Sequence, residues 1–166
     1  MKHLRAGLNA KDVMRRQTAL QDVIRLSTCQ ASCTVAFHSM PNRVLHIENE
    51  AGVGTAVDLH TLVPDLMNIY HNSQVEEGEQ IMALSALLNI GNRMALDQLV
   101  EDSAVRSYRQ SPRVRKITQH SLVSYYLALY PELERKAIDK KTFSIEDVNR
   151  AEARQIREAK KSKTNT

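Results

Sequence analysis

The side chains best suited to chemistry gather in one short run, RSYRQSPRVRK at residues 106–116. Arg106, Arg109, Arg113, Arg115 and Lys116 stand there with Tyr108 and with no acid among them. Arginine and lysine neutralise phosphates, and a tyrosine ring can stack on a base. The same cations also pair with carboxylates of a protein surface, or simply hydrate. Other combinations are poorer. His3, His38, His46, His60, His71 and His120 are scattered, with no pair four residues apart. Cys29 and Cys33 share a helix face at their spacing, but adjacent turns of one helix rarely allow disulfide geometry, and no second cysteine pair exists to complete a zinc site. Gly52 and Gly54 form a lone Gly-x-Gly without the third glycine of a dinucleotide loop. No serine sits in a Gly-x-Ser-x-Gly elbow. No catalytic residue, metal ligand or cofactor site is assigned, and binding ranks ahead of catalysis.

Any surface that presents these cations needs a scaffold. A chain of 166 residues fits one domain and can bury roughly 70% of its unfolded surface. With 42% apolar and 25% charged residues it has ordinary globular usage, and five Gly and four Pro leave room for long helices. The core must rest on aliphatic side chains and Tyr, because there is no Trp and only two Phe. The basic start lacks an apolar run, and no stretch approaches the ~20 apolar residues of a membrane span. The default expectation is a cytoplasmic protein without membrane contact. Charge is blocked rather than spread. Residues 75–102 set six carboxylates against Arg93 alone, residues 106–116 are purely basic, and the tail from Arg150 is again basic.

The apolar spacing predicts a helix over residues 10–30, with Asn9 as its N-cap. ASCTVAFHS and RVLHIE alternate in part, so two strands, an irregular hairpin or a continued helix remain open, and ENEAGVGTA reads as a loop. Asp58 can cap a helix through Tyr70 that Pro64 should kink. HNSQVEEGE reads as a polar connector. A dense apolar helix ends at Gly91, and Asn92 caps the next one, from Met94 to Val100. Ser111-Pro112 opens a helix that runs to about Tyr130, ELERKAI makes a short one, and Ser144 with Asp147 forms a weak capping box before a last, weakly apolar helix. Leu84, Leu87, Leu88, Leu96, Leu99, Ile117, Leu122 and Tyr126 are the expected core.

EQIMALSALLNIG from Glu79 aligns with VRKITQHSLVSYY from Val114, and each copy reads as a helix, a turn and a shorter helix. ALLNIGNRMALDQLVED resembles the core of a HEAT-type helical repeat, PRVRKITQHSL the start of the next repeat, and LVPDLMNIY the second helix of a preceding one. The resemblance covers residues 58–131. Tyr125-Tyr126 departs from it by replacing the Ile-Gly closure, and residues 1–57 do not match. It implies an all-α, HEAT-like stack of antiparallel helical hairpins with a less regular N-terminal part. That stack forms a single domain over 1–160, most repeat-like over 58–140, followed by a disordered basic tail at 161–166. An unrelated helical bundle is the alternative. The resemblance further implies a scaffold whose concave face includes Arg93, Asp97, Gln98 and Glu101. Iron-binding and DNA-glycosylase relatives of such repeats use His-Glu pairs or a Trp platform, and neither occurs here. The expected function is a protein–protein interaction module. The alternative is nucleic-acid binding through residues 106–116 and the basic tail.

Overall fold

The computed structural model describes residues 1–32, 45–48, 54–104, 110–133 and 144–164. Helices supply nearly all of its regular structure. They are α1 (Lys2–Leu8), α2 (Val13–Ser32), α3 (Val63–His71), α4 (Glu77–Ile90), α5 (Arg93–Ala104), α6 (Pro112–Leu129) and α7 (Ile145–Thr164). Short 3-10 turns lie at Leu59–Leu62 and Pro131–Leu133. One antiparallel hairpin pairs β1 (Leu45–Glu48) with β2 (Gly54–Val57), with Leu45 opposite Val57 and Glu48 opposite Gly54. The mainly helical expectation therefore holds with one exception. The second strand falls in the stretch read as a loop, while most of ASCTVAFHS lies outside the described residues.

The chain divides into two compact units, Met1–Leu96 with Tyr108–Val114, and Asp97–Ser107 with Arg115–Thr166. In the first, the most extensive helix packing joins α2 to α4, α3 to α4 and α1 to α2. The helix nearest α4 thus comes from the segment that the repeat resemblance leaves out. Two polar ties fix its direction. Arg16, early in α2, reaches Glu79, early in α4, and Asn89, late in α4, reaches Ser27, late in α2. The sequence offsets are 63 and 62, so the helices run parallel in nearly constant register. Parallel neighbours need a return path, and the segment containing α3 supplies it. Leu20, Val23, Leu59, Leu62, Leu66, Tyr70, Ala83, Leu84, Leu87 and Ile90 form the core. Where α1 meets α2 the backbones come close: a Cβ on Gly7 would lie 2.7 Å from the Ala19 Cβ.

Local signals explain most element ends. Gly91 takes φ 66° and ψ 34°, the left-handed conformation that costs glycine nothing, and its N–H donates to the Leu87 carbonyl. The Asn92 carboxamide oxygen accepts from Ala95 N–H at 3.1 Å and starts α5. The Gly-Asn pair is therefore a tight turn between helices. Asp58 caps the 3-10 turn as expected, accepting from His60 N–H. Three expectations are corrected. Asn9 ends α1, a helix not foreseen, and Asp12 caps α2 by accepting from Arg15 N–H at 2.8 Å. Pro64 sits in the first turn of α3, where no backbone donor is needed, so it kinks nothing. The polar connector is shorter than expected, because α4 already begins at Glu77.

In the second unit Leu99, Leu122, Tyr126, Tyr130, Leu133, Val148 and Ala151 are buried. Gln119 donates to the Ser103 carbonyl at 2.8 Å, tying α6 to α5. Tyr126 and Tyr130 stack with ring centroids 6.4 Å apart. Ser111, which belongs to the first unit, accepts from Val114 N–H and opens α6. Ser144 and Asp147 form the reciprocal capping box, each backbone N–H donating to the other's side chain at 3.3 Å. From that start α7 runs through Thr164, into the segment that composition reads as a disordered tail. ELERKAI lies largely outside the described residues. The expected core is buried except for Leu88 and Ile117, which are half-buried, and Met94 at the start of α5 is 84% exposed.

Candidate binding surfaces

Of the basic run at 106–116, Arg106, Tyr108 and Arg109 lie outside the described residues. The remainder is anchored more than expected. Gln110 is buried and exchanges hydrogen bonds with Tyr70: the phenol donates to the Gln110 carboxamide oxygen at 3.1 Å, and the carboxamide nitrogen donates to the Tyr70 carbonyl at 3.2 Å. Arg113 is exposed and pairs with Glu77 at 3.6 Å, the pairing to the acidic block that the charge pattern allows. Such a surface pair contributes little. Arg115 is half-buried and Lys116 is exposed, and both fall in the second unit. Among the residues expected on a concave face, Arg93 and Asp97 are half-buried, while Gln98 and Glu101 are exposed. Arg93 belongs to the first unit and Asp97, Gln98 and Glu101 to the second.

The acidic block is not a solvated face throughout, because Glu79 is fully buried. Its carboxylate takes Arg16 Nε at 2.9 Å on one oxygen and Nη2 at 3.1 Å on the other. The third nitrogen, Nη1, donates to the carbonyls of Ala10 and Lys11, both at 2.9 Å. Four of the five guanidinium N–H bonds are thus used within the chain, and Arg16 is a cross-link rather than an anion receptor. Its hydrogen bonds to Glu79 hold the guanidinium above its ordinary pKa. Asp65 is held in the same manner on the surface. It accepts from Arg5 Nε at 3.0 Å and Asn9 Nδ2 at 2.9 Å, which ties α1 to α3.

His60 sits in the 3-10 turn and faces the start of α5. Its Nδ1 lies 3.2 Å from Asn92 Nδ2. The Asn92 oxygen already accepts from Ala95, so it is the amide nitrogen that faces the His60 ring. Among the described residues no group of three or more His, Cys, Asp or Glu is arranged to hold a metal ion. No described helix is long and apolar enough to cross a membrane.

The surface that residue-by-residue reading missed is on α7. Val148 and Ala151 are buried and Gln155 donates to the Leu129 carbonyl at 2.9 Å, so one side of the helix is seated. From Ala153 to Lys161 every residue is exposed. Arg150, Arg154, Arg157 and Lys161 follow the spacing i, i+4, i+7, i+11 and, at 3.6 residues per turn, fall within an arc of about 60°. The cations and the helix were each legible in the sequence, but their common face emerges only when the two are combined. The chain was compared with known protein families, curated proteins and solved structures, and no match was found.

Proposed function

We propose that this chain is a non-catalytic macromolecule-binding module and that the exposed half of α7 is its contact element. One observation carries the reading: α7 is capped at its start and seated on one side, yet holds nine consecutive exposed residues at 153–161. A helix kept regular over such a length without burying itself is suited to an external partner. Its capping box and seated first half fix its start, so little order has to be gained on binding. The rest of the chain fits a scaffold. α4, Gly91 and α5 form the helix–turn–helix of the repeat resemblance, and the parallel α2–α4 pair supports it further. Stacked hairpins place equivalent helices of successive repeats side by side in the same direction, and the parallel course of α2 beside α4 is what such a stack would require.

The test is a chain ending at Glu152, compared with the full chain in pulldowns from cell lysate with and without nuclease. The truncated chain should keep its cooperative unfolding, because residues 153–161 are exposed and the buried Val148 and Ala151 are retained. It should lose most of the captured material. Equal capture by both chains overturns the role given to α7.

A further inference from the structure

We infer that the face of α7 carrying Arg150, Arg154, Arg157 and Lys161 binds the phosphate backbone of duplex nucleic acid. This rests on the reading of α7 as the contact helix and names its partner. The four cations span twelve residues, about 16 Å of helix at 1.5 Å per step. All four are exposed, and the seated residues Val148 and Ala151 lie well around the helix from them. Between Arg150 and Lys161 the acids are Glu152, which projects to the far side, and Glu158, which borders the stripe. Glu146 and Asp147 lie on the basic side but in the first turn, where Asp147 is engaged with Ser144.

The chemistry of the stripe selects among anionic partners. Guanidinium forks match phosphate oxygens, and three of the four cations are Arg. A protein partner wants aromatic or large apolar anchors at the centre of its interface. α7 contains no aromatic residue, and Ile156, its one large apolar side chain in the exposed half, projects away from the stripe. A membrane surface wants a broad apolar face for insertion, and this half of the helix lacks one. Single strands are held largely by stacking on aromatic rings, also absent here. What remains is an exposed cylinder about 10–12 Å across with cations along one side, matching a duplex groove about 12 Å wide between phosphate rows. Nothing on the stripe itself is a bidentate amide reader of base edges, so binding should depend weakly on sequence.

The experiment titrates the full chain with a labelled mixed-sequence DNA duplex across a salt series. It is repeated with the variant R150Q/R154Q/R157Q/K161Q and with a variant carrying Lys at all four positions. The parent should bind with steep salt dependence. The Gln variant should lose roughly tenfold or more in affinity at low salt, and its log–log slope should fall by roughly 3–4, at ~0.9 per phosphate contact. The Lys variant should keep most of the slope, and both variants should unfold at the parental midpoint. Duplex binding unchanged in the Gln variant overturns the proposal by placing the contact elsewhere. Stronger binding to polyglutamate or to phosphatidylserine vesicles than to duplex also overturns it, while leaving α7 as the contact helix. Binding to none of the three overturns the phosphate assignment, and the truncation then decides the wider reading on its own.

Discussion

α4 and α7 are both well-formed helices with capped or defined ends, and they use their surfaces in opposite ways. α4 buries seven of its fourteen residues, Glu79 and Gln80 among them. α7 buries Val148 and Ala151 and exposes everything from Ala153 to Lys161. The difference shows what charge means in each place. Glu79 is a carboxylate spent on internal cross-linking, its desolvation offset by a two-pronged partner. The Arg side chains of α7 keep their hydration and their freedom to meet something else. α4 is part of the core of its unit; the exposed stretch of α7 at 153–161 can change with little effect on stability.

The comparison is sharpened most by Glu79→Ala. Removing the carboxylate strands a mostly buried guanidinium, and breaking such a pair costs about 3–5 kcal/mol. Urea denaturation should show the loss, and a shift under 1 kcal/mol or so would reduce the cross-link to a surface contact. Glycines give a smaller contrast. Gly7→Ala drives a Cβ into Ala19 at 2.7 Å and should destabilise by about 1–3 kcal/mol, offset in part by better helix propensity. Gly78→Ala meets nothing within 4 Å and should be neutral or stabilising by up to about 1 kcal/mol. Thermal midpoints moving in the same direction for both would refute the close approach of α1 and α2.

The smallest effect is expected at the start of α7. Ser144→Ala removes the cap and should cost about 1 kcal/mol of local helix stability, read by far-UV circular dichroism. The Glu146 carboxyl is held below its ordinary pKa, first by a backbone N–H and then by the Ser144 hydroxyl. A lowered carboxyl stabilises above its unfolded pKa, about 4.3, and that contribution is lost as pH falls through its lower folded value. Helix content should therefore drop on acidification below about pH 4, less steeply in the variant. An identical acid profile in both would count against the Ser144 contact.

Local chemistry was legible in the sequence and long-range partnership was not. Gly91, Asn92, Asp58, Ser111 and the Ser144–Asp147 box each act on backbone within a few residues, so residue type and spacing suffice to read them. Leu84, Leu87, Leu96, Leu99, Leu122 and Tyr126 were found because apolar periodicity reports burial. α1 escaped because it is short, and its one buried side chain, Leu8, gives no period to read. The burial of Glu79 was not legible because its partner lies 63 residues away, and nothing in its own neighbourhood sets it apart from the other acids of the block. The basic surface was expected at 106–116 and in the basic tail. Part of that run is tied down through the buried Gln110, and the exposed stripe lies at 150–161, where the cations share one helix face.

The parallel pairing of α2 with α4 also sets an order of events during synthesis. A ribosome adds roughly 5–20 residues per second, so Glu79 follows Arg16 out of the tunnel by roughly 3–13 s. Through that interval α1 and α2 can meet at Gly7 and Ala19, but Leu20 and Val23 have no α4 to cover them. The nascent chain therefore carries an open apolar flank on its first helices for seconds, which makes this the stage at which a chaperone would have most to hold.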